Sequence, residues 1–123
     1  MVSFMNTRAF IVTVILAAAA PALADAAAGQ KAFAVCSTCH AVVAGRNGIG
    51  PSLYGVVGRP AASLPGYKYS AAMTKSGLTW TSETLHTYLA APGKTVPGTK
   101  MTYGGVKEAE KLDDVVAYLE TLK

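Results

Sequence analysis

Two cysteines and a histidine lie within five residues of each other, at Cys36, Cys39 and His40. If this stretch is helical, side chains three and four residues apart project from one face. Two thiols placed this way can form thioether bonds along one edge of a porphyrin while the imidazole reaches the iron. Because C-x-x-C-H is the attachment pattern of c-type haem, the spacing predicts one covalently attached haem c.

Other chemistries use some of the same residues. A thioredoxin-like redox pair has two cysteines at this spacing, but it belongs to a βαβ unit and has no role for the following histidine. A zinc site needs a fourth ligand, for which His86 is the only other nitrogen candidate. A disulfide between Cys36 and Cys39 would close a loop too short to add much stability. Haem is the interpretation that uses all three side chains.

A thioether at Met101 is a further candidate ligand. Met101 lies in a stretch rich in glycine and proline, residues 92–105, and not on the apolar face of a helix. Methionine most often fills gaps in a hydrophobic core, which is one interpretation of Met101. The other is that its sulfur is a soft ligand on the side of the iron opposite His40.

The remaining chain predicts helices separated by long loops. Helices are expected over residues 26–40 with Asp25 as N-cap, over 70–76, from Thr81 to Pro92, and over 107–123. Gly29 inside the first helix indicates a close crossing with another helix, because glycine otherwise costs a helix about 1 kcal/mol. Residues 41–59 have no helical or strand period, and a loop of this length is expected to wrap a cofactor.

Length and composition limit the chain to one small domain behind a targeting segment. The protein has 123 residues and a formal net charge of +4. Residues 1–24 have the features of a secretory signal: Arg8, an apolar run, and the cleavage motif Ala22-Leu23-Ala24. Cleavage would leave an exported domain of residues 25–123, whereas retention of the segment as an anchor is the alternative. Because the apolar run is shorter than the roughly 20 residues of a membrane span, no stable membrane insertion is expected. Dispersed Lys and Arg residues give no support for nucleic-acid binding.

An ordered series of short motifs follows the C-x-x-C-H stretch. These motifs occupy residues 50–59, 66–70, 78–80, 88–89, 97–101 and 117–119. Together they resemble the class I cytochromes c of the mitochondrial and soluble bacterial periplasmic type, and the resemblance covers essentially residues 28–122. It implies a small all-α class I cytochrome c fold, in which the N- and C-terminal helices cross and loops wrap a covalently attached haem.

The resemblance also implies roles for individual residues. His40 would be the proximal ligand, with its other ring nitrogen held by the carbonyl of Pro51. Met101 would be the distal ligand, and Met/His ligation raises the reduction potential.

Five further residues would surround the haem. Tyr69 and Trp80 match positions that donate hydrogen bonds to a buried propionate, and Arg59 would compensate its charge. Tyr88 and Thr99 would make polar contacts around the ligand and the inner face of the haem.

The function implied is a soluble single-electron carrier and not an enzyme. It would shuttle electrons between redox complexes or dehydrogenases and a terminal acceptor, as a monomer. The partners would be redox proteins with acidic docking patches, such as a quinol-oxidising complex, a terminal oxidase or a periplasmic dehydrogenase. Lysines at 31, 94, 100 and 107 would steer them, although Val35 stands where many relatives carry a docking lysine. The alternatives are a haem subunit of a larger dehydrogenase, or a weak peroxidase after loss of Met101.

Overall fold

The computed structural model describes residues 10–17 and 23–123, and its secondary structure is helical. Residues 10–17 are exposed and have no regular structure, whereas the rest of the predicted signal segment before residue 23 lies outside the described residues. The helices are α1 Ala26–Ala32, a 3₁₀ helix Phe33–Thr38, α2 Ala71–Lys75, α3 Ser82–Ala90, α4 Pro92–Thr95 and α5 Ala109–Glu120. A single isolated β-bridge, between Pro60 and Thr79, accompanies them in the described residues. The fold is therefore all-α, as predicted.

The first helix differs in one respect from the expected continuous helix over residues 26–40. It begins as predicted, with the Asp25 side chain accepting hydrogen bonds from the amides of Ala27 and Ala28. From Phe33 onward it narrows to a 3₁₀ helix. The hydroxyls of Ser37 and Thr38 donate to backbone carbonyls three residues earlier, at 2.6 and 2.9 Å. Such side-chain hydrogen bonds compete with the regular helical pattern, which accounts for the tighter turn.

Helices α1 and α5 cross at Gly29. A Cβ atom at Gly29 would overlap the carbonyl oxygen of Asp114 and would lie 2.9 Å from the Cβ of Tyr118. Beside this contact, the rings of Phe33 and Tyr118 pack with centroids 5.2 Å apart. The backbone amide of Asp25 also donates to the Asp114 carboxylate, at 2.8 Å. The crossing that the glycine indicated is therefore formed by direct backbone contact.

The middle helices are short and begin at capping residues. Ser70 caps α2 through the amide of Met73, and Thr81 forms a reciprocal capping box with Thr84 at the start of α3. Pro92 ends the preceding segment and also opens α4, because the fixed φ of proline suits the first position of a helix. None of the helices in the described residues is long and apolar enough to cross a membrane.

Candidate functional site

A cavity of about 420 Å³ opens beside the C-x-x-C-H stretch. Most of its lining is apolar, and among the described residues no Asp or Glu side chain contributes to it. The ten residues expected around the haem all line this cavity: Cys36, Cys39, His40, Pro51, Arg59, Tyr69, Trp80, Tyr88, Thr99 and Met101. The fold thus brings together residues that are up to 65 positions apart, from 36 to 101.

Cys36 and Cys39 lie at the end of the 3₁₀ helix as separate, half-buried thiols. The amides of Cys39 and His40 both donate to the carbonyl of Cys36, at 3.1 and 3.0 Å, so the chain turns tightly here. Burial raises the pKa of the Cys36 thiol. The uncharged form is therefore favoured, and a thioether, which carries no charge, suits the same surroundings.

The imidazole of His40 is held in one tautomer. Its Nδ1 lies 2.7 Å from the carbonyl oxygen of Pro51, and because a carbonyl only accepts, Nδ1 must carry the hydrogen. Nε2 then keeps a lone pair, which is the form that binds a metal ion. Gly50 packs against the ring so closely that a Cβ there would lie 2.7 Å from Nδ1. The ring is thus fixed in place from two sides.

On the segment 97–101, Met101 is partly buried against the core and lines the cavity. The same segment is held by Thr99, whose hydroxyl lies 2.8 Å from the hydroxyl of Tyr88. Burial raises the pKa of Tyr88, although its hydrogen bond to Thr99 partly opposes this. Tyr88 therefore keeps its proton and anchors the segment that carries the thioether.

Hydrogen-bond donors lie along another part of the cavity wall. Arg59 is half-buried and donates to the carbonyl oxygens of Ser52 and Tyr54, at 3.0 and 3.2 Å; burial lowers its pKa. The hydroxyl oxygen of Tyr69 accepts from the amide of Leu64 at 3.3 Å, so its own hydrogen can be donated elsewhere. Trp80 is buried against the ring of Tyr88, 5.0 Å between centroids. This part of the wall contains the guanidinium of Arg59, the hydroxyl of Tyr69 and the indole N–H of Trp80, but no carboxylate of a described residue. Such a set of residues suits a cofactor that carries acid groups.

The donor set fits a haem. An apolar cavity, two adjacent thiols, an imidazole with a free lone pair and a thioether supply attachment and soft ligation. With helices crossing at Gly29 and loops around the cavity, the molecule has the architecture of a small c-type cytochrome. A cluster of three or more His, Cys, Asp or Glu side chains suited to another metal is absent from the described ranges.

Comparison with known proteins identifies the family. The cytochrome c family model matches residues 26–123. Cytochrome c2 from Rhodopila globiformis is 51% identical over 100 residues, covering 80% of this chain and 94% of the relative. Cytochrome c2 from Blastochloris viridis is 41% identical over 118 residues, covering 94% of this chain and 93% of the relative. A solved structure of cytochrome cH from Methylobacterium extorquens superposes with a TM-score of 0.75 at 52% identity, covering 79% of this chain and 98% of that one.

The chain belongs to the cytochrome c family. As the family and the cysteine spacing together show, it carries one haem c bound covalently through Cys36 and Cys39. The thioredoxin, zinc and disulfide interpretations of these residues are therefore wrong.

Some interactions around the site were not expected from the sequence. His86 bridges two helices: Nδ1 lies 2.7 Å from the carbonyl of Ser82, and Nε2 lies 2.7 Å from the carboxylate of Asp113 on α5. Lys100 packs over the ring of Tyr67, 4.8 Å from its centroid. Asn47 precedes Gly48 in a dipeptide that is typical of tight turns, and its side-chain oxygen accepts a hydrogen bond from the amide of Ser52. The positions of His86 and Asp113 in the sequence do not show that their two helices pack against each other.

Proposed function

We propose that this protein is a soluble single-electron carrier with His40 and Met101 as the axial ligands. When bound, the haem supplies one-electron exchange between ferrous and ferric iron. The observation that carries the proposal is the geometry of His40: Nδ1 is occupied by Pro51, and Nε2 is left for the metal. The presence of Met101 in the same cavity supports a second protein ligand, which leaves no position for a substrate. A closed site of this kind favours electron transfer over enzymatic catalysis.

The surrounding residues hold the proposed ligands in place. Pro51 and Gly50 fix the imidazole, and the pair Tyr88–Thr99 holds the segment that carries Met101. Fixed ligands need little rearrangement when the charge of the site changes. We assign Arg59, Tyr69 and Trp80 to the propionates, because all three residues carry N–H or O–H donors and line the cavity, to which no described Asp or Glu contributes. A thioether ligand also favours the ferrous state and raises the potential.

Met101→Ala tests the ligand set. We expect the protein to keep its covalent haem, because both thioether bonds remain, but to lose the weak long-wavelength absorption that a sulfur ligand gives ferric haem. Its reduction potential should fall, and imidazole or cyanide should bind without competition. Leu89→Ala, also in the cavity wall, is the matched control and should keep the absorption. An unchanged spectrum and potential in Met101→Ala would overturn the ligand assignment.

We infer that partners dock where the cavity lining reaches the surface. Val35, Ile49 and Tyr103 are exposed there, by 53%, 76% and 38%, and Lys100 is the neighbouring cation. The absence of carboxylates from the cavity lining favours redox proteins with acidic docking patches, including a quinol-oxidising complex, a terminal oxidase or a periplasmic dehydrogenase. Electron-transfer rates with such a partner should fall as ionic strength rises. Rates that do not change with salt would contradict acidic docking.

We propose that the chain is exported to the periplasm and cleaved after Ala24, leaving a domain of residues 25–123. Two observations support this position: Leu23 and Ala24 are exposed and without regular structure, and the first helical cap is Asp25. The intact mass of the exported holoprotein tests it. A mass that includes residues before Asp25 would favour an uncleaved anchor.

A further inference from the structure

The peptide unit between Pro51 and Ser52 is hydrogen-bonded at both ends. Its carbonyl oxygen accepts from Nδ1 of His40 at 2.7 Å. Its N–H, which belongs to Ser52, donates to Oδ1 of Asn47 at 3.0 Å. One amide group therefore lies between the imidazole and the side chain of Asn47, in a continuous line of hydrogen bonds.

The two ends of an amide are electronically coupled. When its N–H donates to a good acceptor, electron density moves toward its carbonyl oxygen, and the oxygen becomes a stronger acceptor. A stronger acceptor at Pro51 draws the Nδ1 proton of His40 further from the ring. The imidazole then donates more electron density through Nε2, which makes it a better ligand for ferric iron.

Asn47 is held in the orientation that this line requires. Its Nδ2 donates to the carbonyl of Pro65 at 3.3 Å, so its oxygen must be the atom that faces the amide of Ser52. Ser52 is 1% exposed, and its hydroxyl donates to the carbonyl of Val43 at 2.7 Å. Arg59 donates to the carbonyl of Ser52 at 3.0 Å. These contacts fix both partners, so the bond between them persists.

We propose that Asn47 is a positioning residue that strengthens His40 as an iron ligand and thereby lowers the reduction potential. The inference rests on the proposed ligand role of His40. It assigns a function to a side chain that does not line the cavity and acts only through the Pro51–Ser52 peptide unit. A purely structural tether between loops would need the Asn47 bond to Pro65 but not the acceptor oxygen.

Two substitutions separate the acceptor from the tether. Asn47→Ala removes both, so the potential should rise, and the ratio of reduced to oxidised protein at a fixed electrode setting should increase about twofold. Asn47→Asp loses the donor to Pro65 but offers the Ser52 amide a carboxylate, which is a stronger acceptor than an amide oxygen, so the potential and the ratio should fall. Gly48→Asp is the control for added charge, since it places a carboxylate at the adjacent exposed residue. The Asn47→Asp shift should exceed that of Gly48→Asp.

The Nδ1 proton of His40 provides a second readout by NMR of the reduced holoprotein. Its resonance should move upfield and exchange faster with solvent in Asn47→Ala, and move downfield in Asn47→Asp. The proposal is overturned if both Asn47 variants change the potential in the same direction, or if the Nδ1 resonance is unchanged in both. Should Asn47→Ala fail to fold, the comparison of Asn47→Asp with Gly48→Asp decides. A wild-type spectrum without an iron-bound imidazole would instead overturn the His40 assignment itself.

Discussion

Gly29→Ala should destabilise the protein although alanine is the better helix former. The added Cβ would overlap the carbonyl oxygen of Asp114 and lie 2.9 Å from the Cβ of Tyr118. The first of these atoms belongs to the backbone of α5, so it cannot rotate away, and the two helices must separate. The change therefore acts on the crossing of α1 and α5 and not on the local helix.

The magnitude follows from two opposing contributions. Overpacking of a tight interface costs about 1–3 kcal/mol, and an immovable backbone contact places Gly29→Ala near the upper end. The gain in helix propensity offsets about 1 kcal/mol. The net loss in free energy of unfolding should be about 2 kcal/mol, or roughly thirtyfold in the unfolding equilibrium constant.

Denaturant titration of the holoprotein, followed by the fluorescence of Trp80, measures this loss. Gly93→Ala is the matched control because Gly93 lies in helix α4 and nothing lies within 4 Å of its Cβ position. It should be neutral or stabilising by up to about 1 kcal/mol. A Gly29→Ala protein within about 0.5 kcal/mol of wild type would refute the close-crossing explanation.

Two further substitutions test individual contacts. Tyr88→Phe removes the hydroxyl bonded to Thr99 and should cost about 1 kcal/mol in denaturant titrations at neutral pH. Because burial raises the folded-state pKa of Tyr88, wild-type stability should fall as pH rises past the ordinary tyrosine pKa of about 10; Tyr88→Phe should reduce that fall, and equal pH profiles would contradict it. Asp113→Asn weakens the partly exposed bridge to His86 and should lower stability by less than about 1 kcal/mol. It should leave the haem spectrum unchanged, and an altered spectrum would show that the bridge affects the cavity.

Local signals predicted the beginnings of helices well. Asp25, Ser70 and Thr81 each cap the helix that follows them, because a capping side chain bonds within its own turn. The 3₁₀ segment was missed because the hydroxyls of Ser37 and Thr38 could equally have bonded to water. Their choice of backbone carbonyls depends on the final path of the chain.

In the site, too, features set by neighbouring residues could be predicted, whereas contacts between distant residues could not. The attachment motif is local, and the resemblance to a family placed Met101 and the donors around one cavity. Asn47 was not predicted, because its partner Ser52 lies across a loop without any period. His86 meets Asp113 only through the packing of α3 on α5. Contacts of this kind have no sequence spacing that would reveal them.

The hydrogen bond from the Asp25 amide to Asp114 joins residues 89 positions apart. Helix α1 runs directly into the segment that holds Cys36 and Cys39, so the packing partner of this segment comes from the opposite end of the sequence. A chain that stopped before α5 would lack that partner, and Gly29 and Phe33 would lose the burial that they have here. The segment that attaches the haem therefore depends on the last helix of the chain.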